Sequence, residues 1–137
     1  MIVNFKREHR FLNMSYPAVI TYNGIVFYTA EAAYQAQKTT SPREQEKMST
    51  LGPEAARRRG EKIPLRPDWE KVKAQIMYEI QLAKFSQNRH LKEKLLSTVG
   101  KILVDTDYDH GLYWAEIRGE GENNLGKILM RVREDLE

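Results

Sequence analysis

The stretch Ala18-Val19-Ile20-Thr21-Tyr22-Asn23-Gly24-Ile25-Val26-Phe27-Tyr28, followed by Thr29-Ala30-Glu31-Ala32-Ala33-Tyr34-Gln35-Ala36-Gln37-Lys38, decides the fold class. Two β-branched and aromatic runs flank Asn23-Gly24, the strongest short hairpin signal, so a small antiparallel sheet is expected here. Thr29 is placed to cap a helix, and Glu31 falls in its first turn, where a carboxylate suits the helix dipole. At helical spacing Glu31, Tyr34, Gln35 and Lys38 share one face, while Ala32, Ala33 and Ala36 leave the other side small enough for close packing. A carboxylate, a phenol, an amide and an ammonium on one short helix form a candidate site. Spacing alone favours the plainer reading of a solvated polar face, because polar faces outnumber sites.

Outward from this stretch the chain reads as mainly helical. Ile2-Val3-Asn4-Phe5 is a short strand candidate, and residues 11–17 look irregular because Pro17 is unsuited to a central strand. Helices are expected over 42–51 and 53–59, each opened by a proline and stopped by Gly52 and Gly60. An extended linker at 63–67 leads into a long helix over 68–85. Its apolar stripe holds Trp69, Val72, Ile76, Met77, Ile80 and Ala83, with Lys73 and Lys84 in the same sector. A single lysine there commonly snorkels from a core edge, and two on one stripe tilt the reading slightly towards a polar cavity. A helix over 91–96, a strand over 101–105 and a polar loop over 106–123 follow, the loop being long enough to suggest function. A last helix over 124–136 is expected to bury Leu125, Ile128, Leu129, Val132 and Leu136. The fold class is therefore α+β, predominantly α-helical, one domain over residues 1–137 with a small antiparallel sheet.

Composition excludes several classes. The 137 residues are 41% hydrophobic and 30% charged, ordinary values for a soluble globular domain. With no cysteine there is neither a disulfide framework nor a thiolate metal site, and three scattered histidines do not suggest a His-built metal centre. No apolar run approaches the roughly 18 residues of a membrane helix, and no signal-peptide pattern opens the chain, so a cytoplasmic location without membrane contact is expected. A net charge of +3 suits a phosphorylated small molecule better than a dedicated nucleic-acid binder. The serine-elbow, phosphate-loop and dinucleotide fingerprints are all missing. Carboxylate chemistry remains, with Glu31 on its helix and Asp105, Asp107 and Asp109 around the polar loop. Paired carboxylates suit cleavage of a glycosidic bond, where one handles water and the pair stabilises positive charge at the anomeric carbon. Tyr34, Trp69, Tyr113 and Trp114 offer stacking surfaces for a planar base; core packing is the favoured reading for Trp69, less so for Trp114.

Several stretches, in order and spacing, resemble the YbiA/NADAR-type N-glycosidase family. They are Phe11-Leu12 with Tyr16-Pro17-Ala18, Glu31 through Lys38, Leu65-Arg66-Pro67-Asp68-Trp69-Glu70-Lys71-Val72-Lys73, Lys84-Phe85 with Gln87-Asn88, Tyr113-Trp114, and Asn123-Asn124-Leu125-Gly126 leading to Arg131-Val132-Arg133. The resemblance implies a compact α+β fold and hydrolysis of an N-glycosidic bond without metal or cofactor. Its implied substrate is a ribosylated, phosphorylated nucleobase-like compound of the riboflavin-pathway ribosylamino-pyrimidine type, split to free base and ribose 5-phosphate. Removal of ADP-ribose from guanine in nucleic acid is the alternative activity, and a non-catalytic nucleotide-binding module the alternative class. Carried over by motif position, Glu31 is the main catalytic carboxylate. The family's second acid falls on Gly111 when aligned without a gap and on Asp109 with a two-residue shift, and Asp109 is taken as the assisting carboxylate. Asn13, Gln35, Lys38, Trp69, Lys73, Lys84, Trp114 and Asn123 line or shape the pocket. The chain departs from the family pattern at Gly111, where the pattern has an acid, at Ala115, where it has glycine, and at Asp105, where it has glutamate.

Overall fold

In the computed structural model, which describes residues 1–137, Asn23 and Gly24 both take positive φ (51° and 82°). That tight turn joins β1 (Pro17–Tyr22) to β2 (Ile25–Thr29) as a two-stranded antiparallel sheet, with Tyr22 opposite Ile25 and Thr21 opposite Val26. Alternation then sorts the side chains: Ala18, Ile20, Phe27 and Thr29 turn inward, while Val19, Val26 and Tyr28 face solvent. Pro17 sits at the start of its strand, before an irregularity in the register, where its missing donor is harmless.

The chain gathers into two units, and the hairpin belongs to the one spanning Met14–Asn88. There β2 runs straight into α1 (Ala30–Ala36), and Thr29 Oγ1 accepts from the Ala32 N–H at 3.0 Å, as its capping position requires. Every residue of α1 is buried. Ala32, Ala33 and Ala36 have no exposed surface, which lets α2 (Pro42–Ser49), α3 (Pro53–Lys62) and α4 (Trp69–Gln87) pack against the helix that carries Glu31. The solvated polar face favoured by spacing alone is thus overturned, because this short helix is enclosed by the three longer ones.

Gly60 is not a stop. It lies inside α3, which continues to Lys62, and its role is close approach: a Cβ there would come within 1.9 Å of Gln35 Oε1. On α4, Trp69, Ile76, Met77 and Ile80 form the buried stripe, joined by Gln81, Lys84 and Phe85, whereas Val72 and Ala83 are only half-buried. The last residues of α4 complete the sheet edge. Gln87 accepts from the Thr21 N–H at 2.8 Å and donates to the Thr21 carbonyl at 2.9 Å, so a side-chain amide occupies the place of a neighbouring strand.

The other unit joins Met1–Asn13 to Arg89–Glu137. It holds a 3-10 turn (Arg7–Leu12), α5 (Arg89–Leu96), a second 3-10 turn (Tyr108–His110), α6 (Gly111–Trp114) and α7 (Asn124–Asp135). Phe5, Phe11, Leu12, Leu91, Leu95, Leu103, Leu125, Leu129 and Val132 form its core; Ile128 and Leu136, expected there, are half-buried. The strands expected at 2–5 and 101–105 shrink to one parallel bridge between Ile2 and Leu103. Pairing goes no further because the next acceptor on the partner side, the Asn4 carbonyl, accepts from the Lys6 N–H at 2.7 Å, while on the opposite edge the Asp105 N–H donates to the Asn123 side chain at 2.8 Å. Residues 106–123 are not a featureless loop, since they contain the second 3-10 turn, α6 and an antiparallel bridge between Ile117 and Glu120. No helix is long and apolar enough to cross a membrane. The predominantly helical α+β class is as expected.

Since Thr29 holds the first turn of α1 through one hydrogen bond, Thr29→Ala is expected to destabilise the chain by about 1 kcal/mol and Thr29→Ser by much less. Paired thermal melts check this.

Candidate active site

Glu31 follows directly from the way α1 begins. The cap sets the first turn, the Glu31 N–H donates to the Met14 carbonyl at 3.0 Å, and the side chain is left 3% exposed. A buried carboxylate needs partners, and two are at hand. Gln35, one turn on, donates from Nε2 to Glu31 Oε2 at 3.2 Å. Arg57 of α3 brings Nε to 3.6 Å from Glu31 Oε1. Of the residues expected on the polar face of α1, Glu31, Tyr34 and Gln35 are therefore gathered inside. Gln35 is the immediate neighbour of the carboxylate, and its Oε1 has no hydrogen-bond partner.

Lys38 lies just past the end of α1, its N–H donating to Gln35 O at 3.2 Å. Burial lowers its pKa below the ordinary lysine value, opposed by the negative charges of Glu31 and Glu61. Trp69 stacks at a tilt on Tyr34, ring centroids 5.2 Å apart, and both are buried, so the core-packing reading of Trp69 holds. Lys73 pairs with Glu70 on its own helix at 2.8 Å, while Lys84 is wholly buried beside the rings of Phe85 (5.1 Å) and Tyr16 (5.9 Å). The two lysines are eleven residues apart, ~16 Å along the helix axis. They do not serve one small cavity together.

The second unit concentrates its chemistry at Asp105. That carboxylate is 1% exposed; Oδ2 meets His110 Nδ1 at 2.7 Å and Oδ1 accepts from the Asp107 N–H at 3.1 Å. Asp107 Oδ2 lies 3.5 Å from His110 Nε2, so the imidazole sits between two acids. Asp105 and Asp107 line a cavity of about 390 Å³ with Asn13, Lys6 and Tyr108. Asp109 is exposed on the 3-10 turn, its N–H donating to Asp107 Oδ1 at 2.9 Å. Trp114 is buried, edge-on to Tyr113 at 4.7 Å. Asn123 is committed to the backbone: Oδ1 accepts from Asp105 N–H and Nδ2 donates to Leu103 O at 3.0 Å. Asn123 thus shapes the surroundings of Asp105 through structure.

Arg57 is the residue that spacing misses. In Arg57-Arg58-Arg59 a solvated helix face is the natural reading, and Arg58 and Arg59 are exposed, Arg59 reaching Glu44 at 3.1 Å. Only the packing of α3 on α1 turns Arg57 inward.

The chain belongs to the NADAR domain family, whose profile matches residues 2–137. It is similar to N-glycosidase YbiA of Escherichia coli (strain K12), 37% identical over 122 residues, which are 85% of this chain and 75% of that protein. The chloroplastic riboflavin biosynthesis protein PYRR of Arabidopsis thaliana is 36% identical over 131 residues, 94% of this chain and 21% of that much longer protein. A riboflavin biosynthesis protein of Vibrio vulnificus is 36% identical over 133 residues, 95% of this chain and 36% of that longer protein. The NMR structure of E. coli YbiA superposes with a TM-score of 0.83 at 32% identity, covering 99% of this chain and 84% of that one.

Two predictions follow from packing and burial. Gly60→Ala gains about 1 kcal/mol of helix propensity but overpacks against Gln35, so the chain stays folded while the Gln35 amide leaves Glu31; the Gln35 side-chain NH2 resonances will shift. Burial lowers the Lys84 pKa from 10.5 to about 7. The unfolded chain therefore binds more protons between those values, and stability rises with pH across that window. Lys84→Met is expected to flatten that rise, as melts from pH 7 to 10 will report.

Proposed function

We propose that this chain is an N-glycosidase that hydrolyses the bond between ribose 5-phosphate and a nucleobase-like amine. The observation that carries the reading is Glu31, a buried carboxylate held by Gln35 and Arg57, in a chain of the NADAR domain family that is 37% identical to N-glycosidase YbiA. The names of the plant and Vibrio relatives favour a ribosylamino-pyrimidine phosphate as substrate.

In this mechanism Glu31 orients a water molecule at the anomeric carbon, takes up its proton, and stabilises positive charge on the sugar as the C–N bond lengthens. The base departs with a proton and the water oxygen becomes the sugar hydroxyl, giving free base and ribose 5-phosphate. Asp109 is the assisting carboxylate. Its exposure suits contact with substrate, whereas both oxygens of Asp105 are engaged by His110 and the Asp107 amide. Lys38 and Asn13 serve binding, Trp114 forms a wall, and Gln35 and Asn123 serve the placement of Glu31 and of the Asp105 segment.

The test is a product assay on a ribosylamino-pyrimidine phosphate and, in parallel, on ADP-ribosylated guanine in DNA. Wild type is expected to release ribose 5-phosphate from the first, with Glu31→Gln slower by roughly 10²–10⁴-fold and Asp109→Asn by less. Full rate in folded Glu31→Gln refutes the mechanism. Release of ADP-ribose alone moves the chain to the other substrate class.

A further inference from the structure

The Glu31 carboxylate is framed by one element other than its own helix. Arg57 and Gly60 lie one turn apart on α3, and each acts on a different side of Glu31. Arg57 Nε stands 3.6 Å from Oε1, with the two side chains 27% and 4% exposed. Gly60 supplies the space in which Gln35 turns its amide to Oε2. The carboxylate is therefore held from two sides, by an amide of its own helix on Oε2 and by a guanidinium from α3 at ion-pair distance from Oε1.

The chemistry suits that task. A guanidinium is planar, permanently charged and weakly hydrated, so it tolerates partial burial and holds a carboxylate in a set plane. Lys38, the other cation felt by Glu31, has its charge disfavoured by burial. Arg58 and Arg59 are exposed. Arg57 alone of this run points at a buried acid.

We propose that Arg57 is a positioning residue for catalysis, which keeps the Glu31 carboxylate turned toward the water it activates. This rests on the assignment of Glu31 above. It differs from the other use of a cation in such a site, direct contact with the substrate phosphate, because a residue acting through Glu31 governs turnover and leaves binding intact.

The experiment compares wild type, Arg57→Met, Arg57→Lys and Glu31→Gln on a ribosylamino-pyrimidine phosphate, with ribose 5-phosphate affinity measured separately. Arg57→Met is expected to lower kcat by about 10²-fold, the scale of a 1 Å misplacement, while KM and the ribose 5-phosphate Kd stay within about threefold. Arg57→Lys, which keeps the charge without the fork, should recover part of kcat. Unchanged kcat in Arg57→Met overturns the proposal, and so does a raised KM with weakened ribose 5-phosphate binding at full kcat. Full rate in Glu31→Gln instead removes the reading on which it rests. Melting temperatures of Arg57→Met, Glu31→Gln and the double variant test the pair without turnover. The loss from Arg57→Met should shrink when Glu31 is neutral, and equal losses in both backgrounds refute the pairing.

Discussion

A carboxylate enclosed by packed helices sets the terms for everything around it. Taking a charge out of water is expensive unless polar partners replace the lost hydration, so Glu31 can occupy the first turn of α1 only if its surroundings supply them. Gln35 comes from the same helix and is placed by helical spacing. Arg57 comes from α3 and is placed by packing. That packing in turn depends on alanines at 32, 33 and 36 and on a glycine at 60, which let the backbones approach closely. The small residues and the charged residue are parts of one arrangement.

The second unit shows the same logic in another form. Asp105 is buried with both oxygens engaged, one by an imidazole and one by a backbone amide, and the Asp105 N–H is tied to Asn123. Asn123 takes a left-handed backbone conformation (φ 51°) at the start of α7, from which its amide reaches both Leu103 and Asp105. The tether satisfies the edge of residues 103–105 that faces away from the bridge to Ile2. Local polar satisfaction here shapes the backbone instead of following from it.

These two acids also separate two uses of a carboxylate. Asp105 is fully committed to neighbours within its unit. Glu31 has an amide on one oxygen and a guanidinium at ion-pair distance from the other, a looser enclosure that suits a group handling protons and water.

Local chemistry was legible directly. Asn23-Gly24 dictated the hairpin, Thr29 the start of α1, and the proline openings α2 and α3, because each acts within a few bonds of itself. The likeness to a family was legible too, since motif order survives in the chain. What spacing could not supply was burial. It placed Glu31, Tyr34 and Gln35 on one face but could not tell water from protein on the other side of it, and it read Gly60 as a stop when its purpose lies in another helix. Arg57 looked like one of three solvated arginines, and the expected strand at 101–105 kept only its bridge to Ile2, its other edge being taken by the side chain of residue 123. Helix signals are local and act over one turn. The identity of the atoms facing a side chain is decided by elements distant in sequence, so the surroundings of Glu31 and Asp105 were settled only when the helices packed.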